Sequence, residues 1–247
     1  FTSSETTSNF AVGDITVTGG TLSNFSATSS TVYTATFTPS ASSATTIDVA
    51  ANKFTDAAGN NNTAATQFIW SYDNVAPTIS SVSLDADNLT LAVTISEAVY
   101  NTSVGSGALE ASNFALSISG GTATLSSSTP TSISISGNVY RLGIGLSGTA
   151  NGDETLTVNP VDNGIYDAAG NEASTTQSNN TVTLNDQLAA TISSVAVAAD
   201  NATVAVTISE TVYNTNGGSG ALETSDFALS ISGGVATLSS ATPSSIS

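Results

Sequence analysis

The sequence predicts an all-β chain of consecutive antiparallel β-sandwiches, about seven strands each. Three observations carry this. Short runs alternate apolar and polar residues with the period of a half-buried strand. Glycine- and asparagine-rich turns punctuate them at short intervals. The pattern also recurs, with Asp56-Ala57-Ala58-Gly59-Asn60 returning as Asp167-Ala168-Ala169-Gly170-Asn171.

The recurrence sets the organisation before length does. Residues 78–134 align without a gap onto residues 191–247, with 44 of 57 positions identical. Thr78-Ile79-Ser80-Ser81-Val82 matches Thr191-Ile192-Ser193-Ser194-Val195, and Ile95-Ser96-Glu97 matches Ile208-Ser209-Glu210. A complete unit is expected over 78–190, and the first half of another over 191–247. Residues 1–77 form a more distant copy. Its Asn9-Phe10-Ala11-Val12 corresponds to Asn113-Phe114-Ala115-Leu116. On this alignment the first unit is expected to lack its opening strands, with Glu5 in the place of Glu97. With no initiator methionine, the chain reads as an internal segment of a longer protein.

Taken in order, Tyr33, Ala35 and Phe37 alternate with threonines, and Phe68, Trp70 and Tyr72 share one face of the first unit's closing strand. That alternation predicts a core position for Trp70. Leu89, Leu91, Val93 and Ile95 alternate with Thr90, Ala92, Thr94 and Ser96. Tyr140, Leu142, Ile144 and Leu146 repeat the pattern, as do Leu156 with Val158 and Val182 with Leu184. Threonine on the outward positions suits a strand with one wet face. Gly120-Gly121 and Asn151-Gly152 read as turns, and no segment has a helical period. The disulfide and tryptophan hallmarks of antibody domains are absent, so the architecture is immunoglobulin-like only.

Composition excludes several functions. The 247 residues hold 19 acidic side chains against one lysine (Lys53) and one arginine (Arg141), a net charge of −17. Such a chain repels nucleic acid and anionic membranes and attracts divalent cations. No run of about 18 apolar residues exists to insert in a membrane. Cysteine and histidine are absent, so neither disulfides nor the usual nucleophilic and zinc chemistry are available. A carboxylate pair is the one conceivable catalytic device. Its best candidates, the neighbours Asp153 and Glu154, read as solvated turn residues, as do Glu110 and Glu223. No enzyme is expected. Asn24 and Asn88 open Asn-X-Ser/Thr triplets, which so Ser/Thr-rich a chain contains by chance.

Phe10-Ala11-Val12-Gly13-Asp14-Ile15-Thr16-Val17, Gly20-Thr21-Leu22-Ser23-Asn24-Phe25 and Asp56-Ala57-Ala58-Gly59-Asn60 resemble the bacterial Ig-like repeats of giant surface adhesins. These are the biofilm-associated and RTX-type proteins; the later units resemble a sister repeat type. The resemblance implies secretion, attachment to the bacterial cell surface, and extender repeats that hold a distal ligand- or glycan-binding domain away from the cell. The expected partners of each repeat are its neighbours in the chain. Calcium at the junctions is common in such arrays. The second junction, Asn185-Asp186-Gln187, departs from the calcium-linker pattern because no proline follows.

The Asp-Ala-Ala-Gly-Asn loop can be a turn and nothing more, with aspartate capping amides and glycine at positive φ. Topology offers a second reading. In a seven-strand sandwich of alternating direction, the loop before the last strand lies where the chain enters. The end of the second strand lies there too. Asp167, Asn171 and Glu97 are then expected to meet the linker at Asp73 and Asn74, and together to bind a structural Ca²⁺, which takes about 6–8 oxygen ligands. Asp186 and Glu210 would serve the second junction, with Asp200 a further candidate. Asp56 and Glu5 would face a junction before Phe1. Asp85 and Asp87 belong to the opposite end. The rival reading is a carbohydrate- or ligand-binding module, for which Tyr100 and Tyr213 are the candidate platform; packing against a neighbouring unit or linker is expected of them instead.

Overall fold

The computed structural model describes residues 1–40 and 43–247. The fold class is the one the sequence predicts: all-β, with antiparallel strands paired in immunoglobulin-like sandwiches. The only helical pieces among the described residues are single 3₁₀ turns, at Val12–Asp14, Ala111–Asn113 and Thr224–Asp226. Among the described residues no helix is long and apolar enough to cross a membrane. The chain divides into two compact units, Phe1–Asp186 and Gln187–Ser247.

The first unit contains two separate hydrophobic cores. The smaller is enclosed by two sheets. One has β1 (Thr16–Thr18), β4 (Ser43–Asp48) and β5 (Phe68–Tyr72) in the order β1-β4-β5; the other pairs β2 (Gly20–Ala27) with β3 (Tyr33–Pro39). Phe10, Ile15, Tyr33 and Val49 are buried between them. Phe10 meets Tyr33 and Phe25 edge-on, with ring centroids 5.0 and 5.5 Å apart, the geometry that opposite edge and face charges favour.

The larger core lies between a four-stranded and a three-stranded sheet. The first has the order β10-β11-β7-β6, from β6 (Ile79–Leu84), β7 (Thr90–Ile95), β10 (Ile133–Ser136) and β11 (Val139–Gly143). The second has the order β14-β13-β8, from β8 (Phe114–Ser119), β13 (Thr155–Pro160) and β14 (Thr181–Thr183). Two short strands, β9 (Thr124–Leu125) and β12 (Leu146–Ser147), pair beside them. The alternation read from the sequence is what closes this core. Leu91, Val93, Ile95, Tyr140, Leu142, Ile144, Leu156, Val158 and Leu184 are all buried in it.

Three expectations need correction. Leu89 is 57% exposed, because β7 starts only at Thr90 and Leu89 still belongs to the turn. Ala92 is buried although it faces outward; it lies in a central strand of its sheet, with Arg141 and Ser83 as its register partners on either side. Phe68 is 62% exposed and Trp70 only half-buried. They lie on β5, an edge strand, and Trp70 touches the other sheet through Phe37 alone among the aromatics, at 4.8 Å.

In the second unit β15 (Ile192–Val197) and β16 (Val204–Ile208) form a two-stranded sheet. Its apolar side chains are largely open to solvent: Ile192, Val195 and Val197 are 60%, 58% and 59% exposed.

Candidate metal centre

Backbone chemistry builds the loop first. Asp167 Oδ1 accepts the amides of Ala169 and Asn171, both at 2.8 Å, and Gly170 turns the chain at φ 89°. The Asn171 side chain adds what turn chemistry does not require: its Nδ2 donates to Asp167 Oδ2 at 2.7 Å. The first copy of the loop is the same. Asp56 Oδ1 accepts Ala58 and Asn60 at 2.8 Å, Asn60 Nδ2 donates to Asp56 Oδ2 at 2.8 Å, and Gly59 has φ 87°. The Asn60 side chain, helped by backbone amides, holds the Asp56 carboxyl below its usual range. The loop is therefore a turn, and it presents a carboxylate already oriented. Around the second copy, a Cβ on Gly170 would come within 2.6 Å of the Ser103 carbonyl, so only glycine fits under the loop that crosses it.

Asp73, Glu97 and Asp167 each bring a carboxylate oxygen within 4.8 Å of the others. They come from the linker after β5, the end of β7 and the Asp-Ala-Ala-Gly-Asn loop. Asp167 is 1% exposed and the other two are half-buried. Burial, with the Asp167 and Asp73 charges beside it, raises the Glu97 carboxyl above its ordinary range. Asn171 Nδ2 also donates to the Asp73 carbonyl at 3.3 Å, and Asp73 Oδ1 accepts the Val75 amide at 3.0 Å. Asn171 thus braces the linker against the loop that carries Asp167. Three carboxylates this close repel, and among the described residues no lysine or arginine forms an ion pair with any of them. The set fits a hard divalent cation: its donors are all oxygen, and the Asp73 backbone and water are at hand for the remaining positions.

The other candidates lie elsewhere. Asn74 is exposed on the linker beside Asp73. Asp186 closes the first unit, where its Cβ lies 3.3 Å from the position a Cβ on Gly152 would take. Glu210 and Asp200 belong to the second unit. Glu5, Asp56 and Asn60 line one groove of about 660 Å³ together with Phe1, Phe10 and Phe54. Asp85 and Asp87 are exposed, with Asp85 3.5 Å from Arg141. Tyr100 is half-buried and pairs through its backbone with Tyr166, whereas Tyr213 is 49% exposed.

Sequence reasoning misjudged Glu154. It is not solvated but fully buried. Its carboxylate accepts the amides of Thr122 and Ala123 at 2.7 and 2.8 Å and those of Asn151 and Gly152 at 3.1 Å. Burial pushes this carboxyl up, and the amides of Ala123, Thr122 and Asn151 outweigh it, so its pKa is lowered. A signal was present: residues 154, 156 and 158 share a strand face, and Leu156 and Val158 point inward. Asn88 has no such local signal. It is 1% exposed with φ 59°, and it exchanges hydrogen bonds with Asn185, 97 residues away. Its Asn-X-Thr triplet is therefore closed to modification in the folded protein.

No curated protein and no solved structure matches the chain. A family model described as a bacterial Ig-like domain matches residues 1–70, the stretch that encloses the smaller core.

Proposed function

We propose that the chain is a run of extender repeats from a secreted bacterial cell-surface adhesin, and that Ca²⁺ held by Asp73, Glu97 and Asp167 stiffens the junction between its first two repeats. The observation that supports this is the convergence of three carboxylates from linker, strand end and loop. A short linker between two sandwiches is a hinge by default. An ion tied to both sides removes that freedom and cancels the local repulsion. Because it binds the folded state, it also raises stability, by about 2.7 kcal/mol at a hundredfold excess over Kd.

Calorimetric titration of the whole chain with Ca²⁺, paired with thermal unfolding, tests the proposal. A rise in Tm with Ca²⁺ is expected, abolished by Asp167→Asn and reduced by Glu97→Gln. Unchanged unfolding across millimolar Ca²⁺ would reject the ion. A second reading, a glycan-binding module, is favoured by the exposed ring of Phe68 beside half-buried Trp70. Trp70 is the only tryptophan, so its fluorescence reports on it directly; emission that does not change with any glycan tested removes that reading.

A further inference from the structure

We infer that Asn216 is a site of spontaneous modification: in the folded chain its side-chain amide is lost to attack by the Gly217 nitrogen, leaving isoaspartate and aspartate. The chain has three Asn-Gly pairs, Asn151-Gly152, Asn163-Gly164 and Asn216-Gly217. Asparagine before glycine is where this reaction is least hindered, because glycine puts no side chain beside the attacking nitrogen. The fold treats the three pairs differently.

In the first two pairs both reacting groups are held. The Gly152 amide donates to Glu154 Oε2 at 3.1 Å, so losing its proton would set a negative nitrogen against a buried carboxylate. The Asn151 carboxamide is engaged at both ends: Nδ2 donates to Asp153 Oδ2 at 3.2 Å, and Oδ1 accepts the Asp153 amide at 3.3 Å. Gly164 is buried, and its amide donates to the Val161 carbonyl at 2.9 Å. Asn163 Nδ2 donates to Asp162 Oδ2 at 2.9 Å, and its Oδ1 accepts the Tyr166 hydroxyl at 3.2 Å.

Asn216-Gly217 lies at the tip of the loop over 214–220. The Asn214 amide donates to the Gly220 carbonyl at 3.3 Å and the Thr215 hydroxyl to the Ser219 carbonyl, which closes the neck of the loop. Asn216 and Gly217 are both exposed. Among the described residues nothing hydrogen-bonds the Asn216 side chain or the Gly217 amide. No atom lies within 4 Å of the position a Cβ on Gly217 would take, so a ring has room to close. This openness belongs to the loop itself. The larger sandwich carries the same loop over 101–107, closed by the Asn101 amide on the Gly107 carbonyl and the Thr102 hydroxyl on the Ser106 carbonyl. There both sheets are in place and Ala168 of the Asp-Ala-Ala-Gly-Asn loop lies against Gly105, yet Ser103 and Val104 are still exposed, Val104 by 78%. Ser103-Val104 has no amide to lose. Asn216-Gly217 puts the reactive pair at the same open tip.

Once water or hydroxide has taken the Gly217 amide proton, the nitrogen attacks Asn216 Cγ. The N–Cγ bond forms, the Cγ–Nδ2 bond breaks, and ammonia leaves with a proton from solvent. Water then opens the succinimide ring, at Cγ to give isoaspartate's isomer aspartate, or at the main-chain carbonyl to give isoaspartate. One water enters, one ammonia leaves, and the chain gains one negative charge. The site thus records the age of a chain as charge added at a loop tip.

The test holds the whole chain in mildly alkaline buffer, with and without guanidinium chloride, and maps its peptides by mass spectrometry over time. Electron-transfer fragmentation separates isoaspartate from aspartate. In the folded chain, amide-to-acid conversion is expected at Asn216 with isoaspartate the larger product, while Asn151 and Asn163 stay intact. In denaturant all three are expected to convert at similar rates. Asn216→Gln, which would have to close a larger and slower-forming ring, is expected to lose the conversion at that position. An Asn216 that survives in the folded chain as long as Asn151 and Asn163 do, conversion of all three alike before unfolding, or survival of Asn151 and Asn163 in denaturant would each overturn the inference.

Discussion

At the scale of the residue, two carboxylates carry opposite instructions. Glu154 accepts four backbone amides in a dry site, and Gly121 leaves the space its carboxylate fills. Replacing it by glutamine turns an NH₂ group on those donors. Glu154→Gln is expected to cost about 2–3 kcal/mol, read by denaturant unfolding. With its pKa lowered on folding, Glu154 stabilises the fold above the ordinary glutamate range. That contribution is lost as pH falls through its folded value. Glu97 runs the other way. Its pKa is raised on folding, so its ionised form opposes folding at neutral pH when no cation is present. Stability in chelator is expected to rise as pH falls from neutral through the folded pKa of Glu97 toward its unfolded value. Glu97→Gln should remove that rise and stabilise the ion-free protein at pH 7. A pH series of melting temperatures in chelator checks both; the same curve for wild type and variant would contradict the assignment.

Among the elements, the linker after β5 is the one on which the proposed ion would act. A 3.3 Å hydrogen bond from Asn171 to the Asp73 carbonyl ties it to the Asp-Ala-Ala-Gly-Asn loop. Asn171→Ala deletes that tie and a hydrogen bond to Asp167 while leaving all three carboxylates. It is expected to weaken Ca²⁺ binding several-fold without abolishing it, as read by calorimetry, whereas Asp167→Asn abolishes it. Much of this was legible in the sequence. The alternation and turn order placed Glu97 and Asp167 at one end of a sandwich, beside the entering chain. The brace from Asn171 was not legible, because a side-chain amide reaching a carbonyl 98 residues away leaves no local pattern. The inward turn of Glu154 was legible through strand parity, but its position at a turn exit hid it.

For the whole molecule, burial is unequally distributed. Core residues between 79 and 184 are almost wholly covered, whereas Val195, Val197, Val204 and Val235 are 58%, 59%, 43% and 102% exposed. Limited proteolysis is expected to cut first within 187–247 and last within 78–186, with mass spectrometry reading the fragments, because cleavage follows local opening. Uniform resistance along the chain would contradict this order.

One hexapeptide divides what sequence determines from what tertiary structure decides. Phe-Ala-Leu-Ser-Ile-Ser occurs at 114–119 and again at 227–232. In the first place it is β8, paired along its length with β13, with Phe114 and Leu116 buried. In the second it forms no strand, although Leu229 keeps the backbone bond to Ala241 that Leu116 makes to Ser128. The sequence by itself determined the strand periodicity, the turns, the repeat and the acidic, cysteine-free character that favours divalent cations. Whether a given run becomes a strand, and whether three distant carboxylates meet, was decided by tertiary structure. A lone strand leaves its amides and carbonyls to water and one apolar face uncovered, and only a paired neighbour and an opposing sheet satisfy both.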